Sequence, residues 1–330
     1  MAWRKTNAEE IKVSRERSLD MVPADKKVQL LYISQIKKIM KLENFEVPEN
    51  ILNSFGIKEK PALLSGGQRD NYKAGDIVLK RVENASEYEW IAETLNSITQ
   101  TGFRVPRYLK SINGNWVENG WIAYKFVEGE HEKNNWEKKF KLCEKFHDAL
   151  KNLPCPDFIS KRNNPWAIAD RVVWGKQTIT HHQLLQEQLS KLQRLLKPIN
   201  LPNQIIHGDF TGNILFHAGL PPAIIDFTPY YRPKDFAKAI MFVDAITWEG
   251  ATESIFELIK DLPEIKQLVI RAEMRRLIEI EECAKYFQKS SFEEIEVHKP
   301  LMALLPNSNL LKTEQNSIKI FELCSVSINF

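Results

Sequence analysis

Asp209, Asn213 and Asp226 are the residues whose types and spacing could do chemistry. They lie in Ile205-Ile206-His207-Gly208-Asp209-Phe210-Thr211-Gly212-Asn213-Ile214-Leu215-Phe216 and in Ala223-Ile224-Ile225-Asp226-Phe227. Asp209 and Asn213 fall on a short loop between apolar runs, where a backbone can hold polar groups towards a cleft. Asp226 ends an apolar strand expected to pair with 214–216 through a Gly219-Leu220-Pro221-Pro222 turn, which would bring Asn213 beside Asp226. Two oxygen donors so placed suit Mg²⁺, a hard cation held by few protein ligands plus phosphates and water. Asp209 is then left to meet a substrate hydroxyl. A His-Gly-Asp or an Ile-Asp-Phe alone would be an ordinary turn with a capping Asp; their order and spacing together argue for a site.

The elements that must position these residues can be read from periodicity. Residues 1–22 mix charges without a pattern, and from Lys26 a helical stripe of Val28, Leu31, Tyr32, Ile36, Ile39 and Met40 follows. Pro48 opens a short helix with Ile51, Leu52 and Phe55, and Gly56 stops it. We read 1–60 as a helical extension bracing what comes next. Residues 61–128 carry short strands (Ala62-Leu63-Leu64, Asp76 to Arg81, Trp121 to Val127) broken by Gly and Asn turns, with one helix over about 86–100. After Gly129 the chain turns helical. Trp136, Phe140, Cys143, Phe146/His147 and Leu150 make one stripe, and Leu185, Leu189, Leu192 and Leu196 another. Further helices are expected at about 234–248, 251–261 and 264–288. The fold class is α+β, with a small antiparallel-sheet N-lobe at 61–128, a larger helical C-lobe at 129–305 and a tail at 306–330.

The Asp209–Asp226 segment resembles the signature of the aminoglycoside phosphotransferase and choline kinase-like branch of the protein-kinase fold. That signature runs His-Gly-Asp, a few residues, Asn-Ile/Val-Leu, a hairpin, then Ile-Asp-Phe/Trp. The resemblance covers 62–245 and, more loosely, the helices to about 305. It implies a two-lobed protein-kinase-like fold, with Asp209 as catalytic-loop base and Asn213 and Asp226 as Mg²⁺ ligands. His207 is expected to support the loop by packing and hydrogen bonding. The chain departs from the signature at one point: Asn213 stands four residues after Asp209, where the family has five. The whole chain looks most like bacterial phosphotransferase-like proteins that share this short loop.

The upstream half supplies what such a site needs. A cation must meet the ATP phosphates, and Lys80, at the end of Ile-Val-Leu-Lys, is placed for it. The following helix should direct a carboxylate inward, and Glu87 lies one turn before Ile91 on the apolar stripe, whereas Glu89 and Glu93 face water. Gly66 and Gly67, between the first two strands, would let backbone N–H groups approach the phosphates; a plain hairpin turn is the bland alternative. The chain has no GxxxxGK[ST], which argues against a P-loop ATPase. Tyr124 to Val127 is the expected hinge, with the backbone of Lys125 and Val127 pairing with adenine. Asp235 matches the family's Asp at the start of the following helix, and the resemblance implies that it braces the catalytic loop by accepting backbone N–H bonds; a simple helix N-cap is the bland alternative, compatible with it.

Other candidates carry less. His181 and His182 are adjacent rather than one turn apart and do not make a metal pair; His147 reads as structural; Trp116, Trp121 and Trp136 read as core. Lys+Arg number 46 and Asp+Glu 43 in 330 residues, a net charge of +3, with 43% hydrophobic and 27% charged residues. That balance excludes wholesale disorder and gives no case for a nucleic-acid partner. The longest apolar runs, such as Ala239 to Val243, are too short to span a membrane. The four cysteines lie far apart without metal spacing, so buried free thiols in the cytoplasm are expected. The expected activity is ATP- and Mg²⁺-dependent phosphorylation of a small hydroxylated molecule. The rival is a kinase-fold nucleotide-binding protein with little catalysis, motivated by the short loop.

Overall fold

The computed structural model describes residues 46–64, 71–288 and 292–307. The chain divides into two compact units, Met1–Val47 and Pro48–Phe330, and everything below concerns the second. The expected helix from Lys26, Gly66 and Gly67, and the tail beyond 307 lie outside the described residues.

After a short helix α1 (Glu49–Ser54) comes an antiparallel sheet of six strands: β1 (Ala62–Leu63), β2 (Asn71–Ala74), β3 (Ile77–Arg81), β4 (Tyr108–Leu109), β5 (Val117–Glu118) and β6 (Trp121–Lys125). Their order is β1-β2-β3-β6-β4, with β5 also on β6. Helix α2 (Ala85–Ser97) crosses after β3. It starts at Asn84, whose side chain accepts the Glu87 N–H, an N-cap that satisfies one of the orphan donors of the first turn. Its buried face is Glu87, Ile91, Ala92, Thr94 and Leu95, so the stripe through Ile91 is the one that packs, and Glu89 and Glu93 are exposed.

The remainder is mainly helical: α3 (Trp136–Leu150), α4 (Phe158–Lys161), α5 (Pro165–Val173), α6 (Gln183–Gln193), α7 (Phe236–Trp248), α8 (Ile265–Tyr286) and α9 (Lys299–Asn307). This is the expected kinase-like division into a small antiparallel sheet followed by a helical part. The segment expected as a helix at 251–261 is instead a 3₁₀ turn over Glu253–Leu258. Two small antiparallel ribbons carry the candidate site. β7 (Asn203–His207) pairs with β10 (Pro229–Pro233), and β8 (Ile214–His217) pairs with β9 (Leu220–Ile224).

The β8–β9 hairpin differs from expectation in its turn. Ala218-Gly219 makes it, with Gly219 at φ +83°, and Leu220-Pro221-Pro222 already belongs to β9. The prolines are tolerated because no N–H is asked of them: on the outer side of β9 Pro222 offers its carbonyl to the Arg104 N–H, and the next donor used is the Ile224 N–H, to Arg104 O. α7 and α8 form the buried centre of the helical part, with every residue from Phe236 to Ala245 buried. Among the described cysteines, Cys143, Cys155 and Cys283 are all free. Burial holds only for Cys143; Cys155 is exposed and Cys283 intermediate. No described helix is long and apolar enough to cross a membrane.

Candidate active site

The loop that carries Asp209 is built from aromatic packing beneath and hydrogen bonds at each end. Phe146 of α3 meets Phe227 edge-on (5.4 Å between centroids) and also packs on Phe210 and His207. The rings next to Asp209 and Asp226 in sequence are thus buried in one cluster, which fixes where the two carboxylates emerge. His207 ties the loops together. Its Nδ1 accepts the Asp209 N–H (3.2 Å) and its Nε2 donates to Ile225 O (3.2 Å). His147 sits behind it, with Nδ1 donating to Cys143 O (2.7 Å) and Nε2 accepting the His207 N–H (2.9 Å). Each imidazole therefore has one nitrogen facing an N–H and must be neutral. Burial pushes the His147 pKa down to about 3, with His207 adding to it, and burial pushes His207 down to about 4. Both residues are structural supports.

Gly208 has a packing reason of its own. Its N–H bonds to Thr228 O (3.0 Å), and a Cβ there would run into the ring of Tyr230. Tyr230 in turn lies between two guanidinium groups, those of Arg162 and Arg275, each 4.6 Å from its centroid. Arg275 also donates to Gly208 O (2.9 Å).

Asp209 opens to solvent, with 53% of its side chain exposed. Arg276 Nη2 donates to its Oδ1 at 3.0 Å. Asn213 Nδ2 donates to the Asp209 backbone oxygen (2.6 Å) and lies 3.4 Å from Oδ2. Desolvation pushes the carboxyl upwards, but the charge and hydrogen bond of the Arg276 guanidinium, together with Arg275, outweigh it, and the pKa lies below its ordinary value. Asp209 is an ionised acceptor at neutral pH.

The short loop closes as one 3₁₀ turn, Thr211–Asn213. The β8–β9 register puts Ile214 opposite Ile224, and the Ile225 N–H donates to Asn213 O (3.0 Å). Asn213 and Asp226 are thus neighbours across the hairpin's open end, as the expected strand pairing requires. Asp226 has φ +48°, a left-handed conformation that Asp tolerates better than most residues. With its amide nitrogen on Asp209 O, Asn213 presents Oδ1 as its acceptor atom, and Asp226 is a partly exposed carboxylate. Two hard oxygens on adjacent backbone ends fit a cation such as Mg²⁺ that keeps water and phosphate ligands. Among the described residues no group of three or more His, Cys, Asp or Glu could hold a metal ion.

The sheet supplies the other candidates. Lys80 Nζ reaches across to Asp226 Oδ1 (2.7 Å), so β3 and the Ile-Asp-Phe segment meet. Glu87 is buried on the inward face of α2, but the ion pair it forms is with Arg162 (3.4 Å). Burial raises its pKa, and Arg162 and then Lys80 oppose the rise. At the end of β6, the Lys125 N–H donates to Arg107 O (2.8 Å) and its Nζ pairs with Asp76 (2.6 Å); that amide is already spent, while Val127 lies beyond the strand. Asp235 departs from expectation. It precedes α7 without a side-chain cap, and its buried Oδ1 has no hydrogen-bond partner, with Lys238 Nζ at 3.5 Å as its ionic neighbour. The loop brace is supplied instead by His207, Arg275 and Arg276.

The family model described as phosphotransferase enzyme family matches residues 62–237, just over half of the chain. The chain belongs to the phosphotransferase enzyme family. No curated protein sequence matches it. Among solved structures the chain is similar to a spectinomycin phosphotransferase in complex with ADP and spectinomycin (14% identity, TM-score 0.52, covering 79% of this chain and 97% of that one). It is similar also to an amicoumacin kinase with AMP-PNP and Ca²⁺ (14%, TM-score 0.56, 82% and 95%). A third is the choline kinase of Streptococcus pneumoniae (12%, TM-score 0.51, 78% and 96%). At these identities the likeness is one of fold, and the fold is kinase-like.

This phosphotransferase has site residues that motif reading did not find: Arg162, Tyr230, Arg275 and Arg276. The arginine pair left a signal. Leu268, Val269, Ile270, Ala272, Met274, Leu277, Ile278 and Ile280 are apolar on all faces of one helix, so the charges interleaved with them must be inside and partnered. Nothing in the sequence marks Arg162, which is joined to its partner only by the fold.

Proposed function

We propose that the chain is an ATP- and Mg²⁺-dependent kinase that transfers a phosphoryl group to a hydroxyl of a small molecule. The observation that carries this reading is the meeting of Lys80, Asn213, Asp226 and Asp209 at one place, from the sheet on one side and the two ribbons on the other. Asn213 and Asp226 would hold the metal, and Lys80 the phosphates. Mg²⁺, when bound there, neutralises charge on the phosphates. Asp209 orients the acceptor hydroxyl and accepts its proton. Glu87 steadies the helix behind Lys80, Gly66 and Gly67 cover the phosphates, and the Lys125 carbonyl and Val127 amide face the adenine edge. The nucleotide belongs to the 61–128 lobe, the acceptor to 129–305, in a cytoplasmic protein; 1–60 is an extension and 306–330 a tail. The spectinomycin, amicoumacin and choline enzymes of this fold support a small-molecule acceptor.

Nor does the short loop separate its two polar residues, since Asn213 is hydrogen-bonded to Asp209. The test is ATP consumption by wild type and Asp209→Asn over a panel of alcohols, sugars and aminoglycosides. Loss of a general base lowers turnover about 10²–10⁴-fold. Nucleotide binding without turnover on any acceptor would favour a binding protein instead, and equal rates for the variant would overturn the role of Asp209.

A further inference from the structure

Arg276 grips Asp209 from the side, and its own position is set before it gets there. Its Nε and Nη2 donate to Asp244 Oδ1 and Oδ2 (2.8 and 2.7 Å), and its Nη1 to Glu279 Oε2 (2.8 Å). Asp244 and Glu279 are both buried, on α7 and α8, whose packing forms the centre of the helical part. The second hydrogen of Nη2 goes to Asp209 Oδ1 at 3.0 Å. A planar fork held by two buried carboxylates cannot turn away from the third. Only 12% of the Arg276 side chain is exposed, against 53% of Asp209. The guanidinium is part of the wall, and the Asp209 carboxylate is what projects from it.

The consequence lies in which oxygen remains. Oδ1 is engaged at 3.0 Å, whereas Oδ2 has a long 3.4 Å contact with Asn213 Nδ2. We propose that Arg276 is a positioning residue for phosphoryl transfer: by holding Oδ1 it fixes the Asp209 carboxylate plane and leaves Oδ2 to receive the acceptor hydroxyl. This rests on the reading of Asp209 given above. A lysine could supply the charge but not the fork, because an ammonium is a point charge without a plane. The donors of Arg276 go to Asp244, Glu279 and Asp209, so it acts through Asp209.

The experiment uses the full chain with Mg²⁺ and ATP, water as the acceptor and inorganic phosphate release as the rate. AMP-PNP affinity by calorimetry and thermal unfolding are measured alongside. Arg276→Lys keeps a cation between Asp244 and Glu279, and Asp244→Asn keeps Arg276 but removes one of its anchors. Both are expected to bind AMP-PNP like wild type while turnover falls about 10²-fold, the cost of a misplaced catalytic group. In the Arg276→Lys, Asp209→Asn double variant the rate should be no lower than in Asp209→Asn alone, because effects on one unit do not add. Wild-type turnover in Arg276→Lys overturns the proposal. So does a loss that multiplies with that of Asp209→Asn, which would mean that Arg276 acts elsewhere. An unfolded Arg276→Lys transfers the decision to Asp244→Asn, whose wild-type turnover is equally fatal. Wild-type turnover in Asp209→Asn instead removes the reading of Asp209 on which the proposal stands.

Discussion

Lys80 Nζ lies 2.7 Å from Asp226 Oδ1, across 146 residues of sequence. The cation proposed for the phosphates and the carboxylate proposed for the metal therefore neutralise one another in this structure. A divalent cation held by Asp226 would compete with Lys80 for that carboxylate and would free the ammonium for the phosphates of a bound nucleotide. Metal and nucleotide should then bind together or weakly.

Asp226→Asn separates these contributions. It should abolish the Mg²⁺-dependent gain in ATP affinity while leaving metal-free binding no weaker than wild type, because the Asp226 charge no longer holds Lys80. Lys80→Ala should weaken ATP with and without Mg²⁺, by about 10-fold or more for a lost charged hydrogen bond. Calorimetry with and without a chelator reads both, and an Asp226→Asn variant with an intact Mg²⁺ effect would refute the ligand assignment.

Arg162→Ala should be among the most destabilising single changes in the chain. Glu87 and Arg162 are both buried, and removing the arginine leaves a carboxylate without its ion-pair partner and Tyr230 without one of its two cations. The loss should be about 3–5 kcal/mol in urea unfolding. Glu87→Gln should cost less, since it removes the charge that burial opposes and the Arg162 cation it leaves keeps the Pro229 carbonyl and the Tyr230 ring as partners.

Acid should destabilise the fold through two histidines. An unfolded chain protonates each imidazole below about 6.5, whereas folded His147 and His207 take up a proton only near 3 and 4. Their contribution is fully present above pH 6.5 and is lost as pH falls towards those values, by up to about 1.4 kcal/mol per pH unit for each. Urea midpoints between pH 7 and pH 4 read this slope, and His147→Gln should make it shallower by about one proton.

Gly208→Ala should cost about 1–3 kcal/mol by overpacking, since its Cβ meets the Tyr230 ring. The ring is held between Arg162 and Arg275, so the loop has to move instead, and turnover should fall further than stability. Equal turnover with lowered stability would show that the loop absorbs the methyl group elsewhere.

Much of the site was legible in local order. The hairpin that joins Asn213 to Asp226 follows from two apolar runs around a turn, and only its turn residues were misplaced, because Pro221 and Pro222 read as turn formers rather than as edge-strand residues. The inward choice of Glu87 followed from the helical period, since Ile91 and Leu95 fix which face is buried. What the period could not say was which cation Glu87 meets, for Arg162 lies 75 residues away and pairs with it only once β10 and α4 are stacked.

The residues available for chemistry, their loops and the kinase-like division into sheet and helices are therefore determined by the sequence itself. Hydrophobic period and turn chemistry act within a few residues and leave a local trace. The pairing of charges was decided by the tertiary structure alone: Lys80 with Asp226, Glu87 with Arg162, Arg276 with Asp209, and Asp235 with no catalytic-loop N–H at all. A buried charge takes whatever partner the packed elements bring within reach, and that partner carries no mark in the chain.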